Sequence, residues 1–490
     1  MKYKLLGLAV CAAVIALSVW AAGRDADAPR RYHQHLQAAV PAACADHGDD
    51  AFCSHLPLVF LQTEGAEIPG VPVPILGGEN GPTDLVTLAA DGSDTINIAV
   101  TVVDNAGANN HPGDAPALET RSLIRVRGNS SRYFDKKSYL LRFVDGEGEY
   151  RDAEVMGMDA HHEWALHGPY LDKSLLRNYM WYNIAGEIMD YAPNVRFCEV
   201  FLNGEYQGLY VMTETLDSGE NCRLNLSKPI DGLNKTGYLL RLDRGSSTEL
   251  KNIDTFTQYT LRNLQDLDIK YPGNKNLTPE LADAIAQEFS DFEKALYSYD
   301  YDTDDYGFWH WVDVGSFVDY FILNEFTCNY DAGWLSTYVY KDIGGKYKMV
   351  IWDFNSSCDN YTESVTDPFR FELQDNIWYF MMTKDEYFIQ RVLDRYAQLR
   401  ATCLSDGYLE QYIDETLAYL GPAVERNFEK WGYTFTQRRM LSPDSRNPAS
   451  HAQAVAQLKS FIRQRGAWMD ENIRVLQQYC HESKVKKFNH

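Results

Sequence analysis

The chain has 490 residues, 45% of them hydrophobic, with 32 Tyr, 22 Phe and 10 Trp, enough apolar mass for a sizeable core and too much for a disordered chain. Its 69 acidic residues against 46 basic leave a formal charge of −23, which excludes a protein that grips nucleic acid or anionic lipid over a broad face.

At the N-terminus, Lys2 and Lys4 precede an apolar run from Leu5 to Ala22. Residues 1–22 therefore read as a secretory signal peptide or an N-terminal anchor, placing the protein outside the cytoplasm with membrane contact only through that anchor. Apart from Cys11 in the leader, eight cysteines remain, an even count that fits disulfides in an exported chain, and no C-x-x-C pair suggests zinc. Residues 23–55, rich in Ala, Asp and His, read as a linker or loosely packed extension.

Ordered structure begins with "LPLVFLQTEG", a strand, and "DTINIAVTVVDNAG", a second. "RSLIRVRGNSSRYFDKKSYLLRFVD" gives strand, turn and strand, and "DKSLLRNYMWYNIAGEIM" a helix with Asp172 as N-cap. "RFCEVFLNGEYQGLYVMTETL" is a hairpin turning at Asn203-Gly204, and "TGYLLRLDRG" one more strand. Past residue 279 the period changes to helical in "TPELADAIAQEFSDFEKALYS", "DVGSFVDYFILNEFT" and nearly everything beyond about 373. The expected class is α+β: a strand-rich half over 56–278 and a helical half over 279–490, with a hairpin at 329–355.

That hairpin, "NYDAGWLSTYVYKDIGGKYKMVIWDFN", carries an aspartate at each end. A turn centred between Ile343 and Gly344 sets Asp353 opposite Trp334, with Asp331 three residues further on. At roughly 3.3 Å per residue the two carboxylates share one open mouth, about 10 Å or less apart. Such a pair suits acid/base chemistry, a metal site, or one of each. Asp353 lies between Trp352 and Phe354, where a carboxylate is costly unless it is paired or metal-bound; a satisfied buried ion pair is the plainer explanation. Cys328 and Cys358 flank the same hairpin, as a disulfide staple or as two buried thiols.

The order of parts matches a protein kinase: a basic pair on an early strand, a helix, then an aspartate, a short hairpin and a second aspartate. The HRD and GxGxxG signatures are absent. Taken together, "RGNSS…KKSYLLRF", "DKSLLRN", "NGEYQGLYVMTE", "NYDAGWLSTYVYKD" and "YKMVIWDFN" resemble the spore-coat CotH kinase family over roughly Leu56 to Arg400. The resemblance implies an atypical, two-lobed kinase-like fold that binds ATP with Mg²⁺ or Mn²⁺ and phosphorylates Ser/Thr of secreted or surface proteins. Asp331 then matches the catalytic aspartate and Asp353 the metal-binding aspartate. Lys136 and Lys137 match the nucleotide-contacting lysine region, and alternation favours Lys137, which shares a face with Tyr139, Leu141 and Phe143. Glu187 is a candidate charge partner for that lysine.

Further candidates each have a plain structural alternative. Arg127 and Asn129 in "RGNSS" suit a phosphate cradle or a tight turn; Arg177 suits a nucleotide contact or a surface charge beside a helix cap; Glu214 suits an adenine hinge or a strand end. One departure concerns Ser336, which stands where an ordinary kinase has a metal-binding Asn, so Asn329 or Asn355 is the candidate to supply that oxygen. "DYDTDDYGFW" lacks the Gly and bidentate Glu of a calcium loop, and His161, His162 and His167 read as loop residues without zinc spacing. Two other functions compete: a non-catalytic surface or coat scaffold of the same fold, and a carbohydrate-active hydrolase using the two aspartates.

Overall fold

In the computed structural model, which describes residues 30–42, 44, 52–73, 85–219, 224–257 and 265–485, strands fill the N-terminal half and helices the C-terminal half of a mixed α+β protein. The leader expected at 1–22 and Cys222 lie outside the described residues. After a one-turn helix α1 (Gln34–Gln37) come β1 (Leu58–Gln62), β2 (Ile96–Val103), β3 (Leu118–Val126), β4 (Tyr139–Val144), the short pair β5 (Ala153–Val155) and β6 (Met158–His161), and β7 (Glu163–His167). Helix α2 (Arg177–Ile188) separates these from β8 (Val195–Leu202) and β9 (Glu205–Glu214).

Seven of these strands close into a barrel in the order β1-β2-β3-β4-β7-β9-β8, sealed by a parallel pairing of β8 with β1. Period-two alternation explains what fills it. Val59 and Leu61, Ile98 and Val100, Leu141 and Phe143, Trp164 and Leu166, and Tyr210 and Met212 all point inward. The Asn203-Gly204 turn holds, with both residues at positive φ (50° and 81°), the backbone of a two-residue hairpin loop.

β10 (Tyr238–Asp243), β11 (Asn252–Ile253) and β12 (Asp266–Tyr271) precede the long helices α3 (Pro279–Tyr297) and α4 (Val314–Thr327). The hairpin β13 (Thr337–Lys341) and β14 (Lys348–Val350) then joins β10 in a second sheet, ordered β11-β12-β10-β13-β14. This sheet draws strands from both sides of the boundary expected at 278/279, so that boundary runs through a single packed unit. The rest is helical: α5 (Tyr379–Met382), α6 (Glu386–Arg400), α7 (Asp406–Leu420), α8 (Pro422–Trp431) and α9 (His451–Asn472). One apolar core runs from the outer face of the barrel (Phe197, Leu209, Val211) through α2 to α3, α4 and α9.

Three local expectations change. The described part of the 23–55 extension is packed rather than loose: Arg31 donates to the carbonyls of Tyr182, Ala192 and Pro193, and Gln34 bonds both N and O of Phe197. Helix α2 starts at Arg177, so Asp172 is not its N-cap by position, although its carboxylate still accepts the Arg177 amide at 2.8 Å. A disulfide joins Cys44 to Cys53, whereas Cys328 and Cys358 are free buried thiols and no staple closes the hairpin.

Candidate active site

Antiparallel order decides the geometry. With β13 between β10 and β14, the C-terminal ends of β10 and β14 and the N-terminal end of β13 meet at one edge of the sheet. Asp243 is the last residue of β10, Asp353 follows β14, and Asp331 precedes β13. Three carboxylates therefore converge where the sequence suggested two. The hairpin register is displaced by one from expectation, since Tyr340 pairs Lys348 and Tyr338 pairs Val350, folding the turn about Gly344.

Helix α4 delivers Asp331. It ends at Cys328 in the left-handed region (φ 44°), and Asn329 anchors the exit by donating its amide N–H to Asn324 O and its Nδ2 to Asn324 Oδ1. Asp331 O accepts from Trp334 and Leu335, which turns the chain into β13. Neither carboxylate oxygen of Asp331 has a hydrogen-bond partner among the described residues. Burial, with the charges of Asp353 and Asp243 added, pushes the Asp331 carboxyl up to about 7 against the pull of Arg244.

Helix α2 fixes Asp353. Asn178 and Tyr182, one turn apart on the same helix face, reach the hairpin exit: Tyr182 OH accepts the Asp353 N–H (2.9 Å) and Asn178 Oδ1 accepts the Phe354 N–H (2.9 Å). This grip holds Asp353 at φ 55°, a conformation rare for a residue with a side chain. The Asp353 carboxylate accepts Asn355 Nδ2 at 2.8 Å and Asn355 N at 3.4 Å. Burial raises its pKa, Arg127 and Asn355 oppose that, and Asp243 adds to it. The third acid, Asp243, accepts from its neighbour Arg244 alone among the described residues, at N (2.9 Å) and Nη1 (3.3 Å).

Arg127 supplies the cation from the barrel. Its amide donates to Ser138 O (2.9 Å), and its guanidinium lies 5.6 Å from the Trp352 ring, beside Asp353. In "RGNSS" Gly128 sits at φ 103°, where a residue with a side chain would be strained, while Asn129 is exposed at the start of a one-turn 3-10 helix.

The lysine pair goes elsewhere. Strand β4 starts only at Tyr139, so its alternation does not extend to Lys137. Lys136 is the buried one, its amine held by Leu209 O (2.5 Å) and Asn427 Oδ1 (2.7 Å) over the Tyr210 ring, and burial drives its pKa well below that of an ordinary lysine. Lys137 Nζ bonds Arg132 O at 2.8 Å, with Asp135 as its nearby acid. Glu187 partners neither; it accepts from the Arg30 and Arg31 amides and pairs with His33 at 2.8 Å.

Two further candidates are structural in their contacts. Arg177 is buried, paired with Asp172 at 2.5 Å, and donates to Ser357 O and Cys358 O, which clamps the segment after Asp353. Glu214 turns its carboxylate onto Asn194 N (2.6 Å) and Nδ2 (3.2 Å).

His167, expected in a loop, ends strand β7 and is buried. Burial first, then Arg127, push the imidazole down to about 3. Asp243, His167, Asn178 and Tyr182 were all missed from sequence. Only Asp243 leaves a signal, as an acid closing the apolar strand "YLLRLD" before a Gly turn.

The donors at this corner are carboxylate and amide oxygens, hard ligands that suit Mg²⁺ or Mn²⁺ rather than zinc or copper. Among the described residues no choice of one oxygen from each of the three acids brings all three within 4.8 Å of one another. The three side chains as placed do not form a closed protein cage, and a Mg²⁺ held here would need waters or phosphate oxygens to complete its shell. The unpartnered Asp331 carboxylate and the shared repulsion of the acids are what a divalent cation would relieve.

The family described as "CotH kinase protein" matches residues 124–469, which include every residue of the corner. The chain is also 25% identical over 244 residues to "Inner spore coat protein H" of Bacillus subtilis (strain 168), covering 48% of this chain and 58% of that relative. With most of its length inside the family match, the chain belongs to the CotH kinase protein family.

Proposed function

We propose that the protein is an ATP-dependent protein kinase of extracytoplasmic or coat location, with a two-lobed working arrangement in which barrel and helical half close on one nucleotide. The observation that carries this reading is the convergence of Asp353, Asp331 and Asp243 at the edge of the second sheet, with Arg127 from the barrel beside Asp353. The location rests on the signal peptide or anchor expected at 1–22 and on the coat protein among the proteins this chain is similar to.

In this reading Asp353 and Asp243 hold a divalent cation, which when bound draws charge off the β- and γ-phosphates. Arg127 neutralises phosphate oxygens from the opposite side, the part assigned on resemblance to Lys137. Asp331 orients the acceptor Ser or Thr hydroxyl and takes its proton as the hydroxyl oxygen bonds to the γ-phosphorus and the bond to the ADP oxygen breaks. Asn355, bonded to Asp353, steadies that carboxylate.

A second reading, a non-catalytic scaffold, is favoured by one observation: both lysines of the basic pair are engaged away from the acids. Thermal unfolding with ATP plus Mn²⁺, against ATP plus chelator, separates the two. The kinase reading expects a rise in Tm only with the metal; no rise in either condition leaves the scaffold.

A further inference from the structure

A second cluster of ligand-type side chains belongs to the barrel rather than to the acidic corner. The hairpin β5–β6 turns at Met156-Gly157, both at positive φ (52° and 69°), and its register sets Ala153 opposite His161. Asp152 and His162, one residue beyond that pair on each arm, therefore meet at the hairpin's open end, where His162 Nδ1 stands 2.9 Å from Asp152 Oδ1. Both arms are tied to one residue of the barrel core: Phe143 N donates to His162 O (2.7 Å), and Phe143 O accepts from Arg151 N (3.0 Å). Tyr150 stacks on the His162 ring at 4.6 Å, and the His161 ring lies 4.3 Å from it.

His161 is only 5% exposed, and its Nε2 has no hydrogen-bond partner among the described residues. The Glu163 main chain serves Nδ1 in either tautomer, with its N–H at 3.1 Å and its carbonyl at 3.3 Å. When Nδ1 donates to that carbonyl, Nε2 keeps a buried lone pair with nothing to bind, which is the posture of a metal-ligating histidine. One ligand atom from each of Asp152, His161 and His162 lies within 4.8 Å of the other two, a closeness the acids of the corner do not reach. Cys44, Cys53 and His111 also come this close, but there the sulfurs are spent on a disulfide. Two imidazoles and one carboxylate make a borderline donor set that suits Zn²⁺, in contrast to the oxygen-only corner. The half-exposed Asp152 leaves a further position to water.

We propose that Asp152, His161 and His162 form a Zn²⁺ site that pins the chain entering β5 to the chain entering β7. Spacing along the sequence does not reveal it, because the third ligand arrives across a hairpin. The site is independent of the kinase reading and needs neither nucleotide nor the acidic corner.

The test is a calorimetric Zn²⁺ titration of the metal-stripped full chain without nucleotide, with the zinc-dependent rise in Tm as a second readout. The unmutated protein is expected to take up one Zn²⁺ at this site and to unfold at a higher temperature with it. His161→Phe keeps the buried ring without its nitrogens and is expected to weaken that uptake by more than the about 10–100-fold that loss of an outer partner costs. Should His161→Phe not fold, Asp152→Ala, at a half-exposed position, carries the same expectation. His111→Ala is expected to leave the uptake unchanged. X-ray absorption of the zinc-loaded protein should show two imidazoles and no sulfur around the metal. No zinc uptake by the unmutated protein, uptake unweakened in His161→Phe and Asp152→Ala, uptake lost in His111→Ala instead, or sulfur in the zinc shell each overturns the site. None of these outcomes bears on the kinase reading, whose own metal response is read with ATP and Mn²⁺.

Discussion

Glu325 and Asp331 lie six residues apart on the same stretch of chain, and the protein treats their charges in opposite ways. Glu325, fully buried on α4, accepts from the amides of Glu372, Leu373 and Gln374 and pairs with fully buried Arg465 at 2.9 Å. Arg465 spends its remaining donors on Glu325 O, Pro368 O and Arg370 O. Every lone pair is answered, and the pair ties α9 to the turn after the hairpin. Asp331 has no such partner and faces two more acids. A saturated buried charge reports architecture; an unsaturated one reports what the protein expects to bind.

The sharpest way to break this contrast is to exchange the two behaviours. Arg465→Met strands a buried carboxylate and is expected to cost about 3–5 kcal/mol of stability by urea unfolding. Asp331→Asn is expected to abolish phosphotransfer, a fall of at least about 10³-fold, while leaving the metal-free fold intact or more stable. Equal destabilisation by both substitutions would erase the distinction between them.

Proton linkage gives a second handle. In the metal-free protein burial and the neighbouring acids push the Asp331 carboxyl up to about 7, well above the ordinary aspartate range. A raised folded pKa contributes stability that is fully present below the unfolded value and is lost as pH rises through the folded one. The stability of the metal-free protein should therefore decline between about pH 4 and 7 from this group, and Asp331→Asn should flatten that window. Unfolding free energies at pH 5 and pH 8 in chelator check it; an identical pH slope in the variant would remove Asp331 as the cause.

The smallest expected effect sharpens the assignment of the cation. Arg127→Ala should cut kcat/KM about 10²-fold or more, as loss of a phosphate-facing charge does. Lys137→Ala, which gives up one hydrogen bond to a carbonyl at the barrel surface, should change stability by about 0.5 kcal/mol or less and activity by about twofold or less. The reverse ranking would return the nucleotide to the lysine.

How much of this was legible in the sequence follows from how local each signal is. The hairpin and its terminal aspartates are written in adjacent residues, and turn chemistry fixed the pairing to within one position, the error arising because Gly345 N closes on Asp342 O and moves the turn onto Gly344. Alternation misassigned the lysines because it applies only inside a strand, and residues 136–138 precede one. Asp243 reaches the corner only because β10 pairs with β13, a contact about 100 residues away in sequence that no local period encodes. Barrel closure by the parallel β1–β8 pairing is equally non-local.

Tyr182 has one further consequence. Its hydroxyl steadies Asp353, and its carbonyl is held by Arg31. Maturation that removes residues ahead of Arg30 leaves this latch closed, whereas trimming to Leu56, where the strands begin, would unfasten the carbonyls of Tyr182, Ala192 and Pro193 together. A cut between Arg31 and Leu56 would thus be felt at the acidic corner through a single residue, Tyr182, whose main chain Arg31 grips and whose ring meets the Asp353 amide.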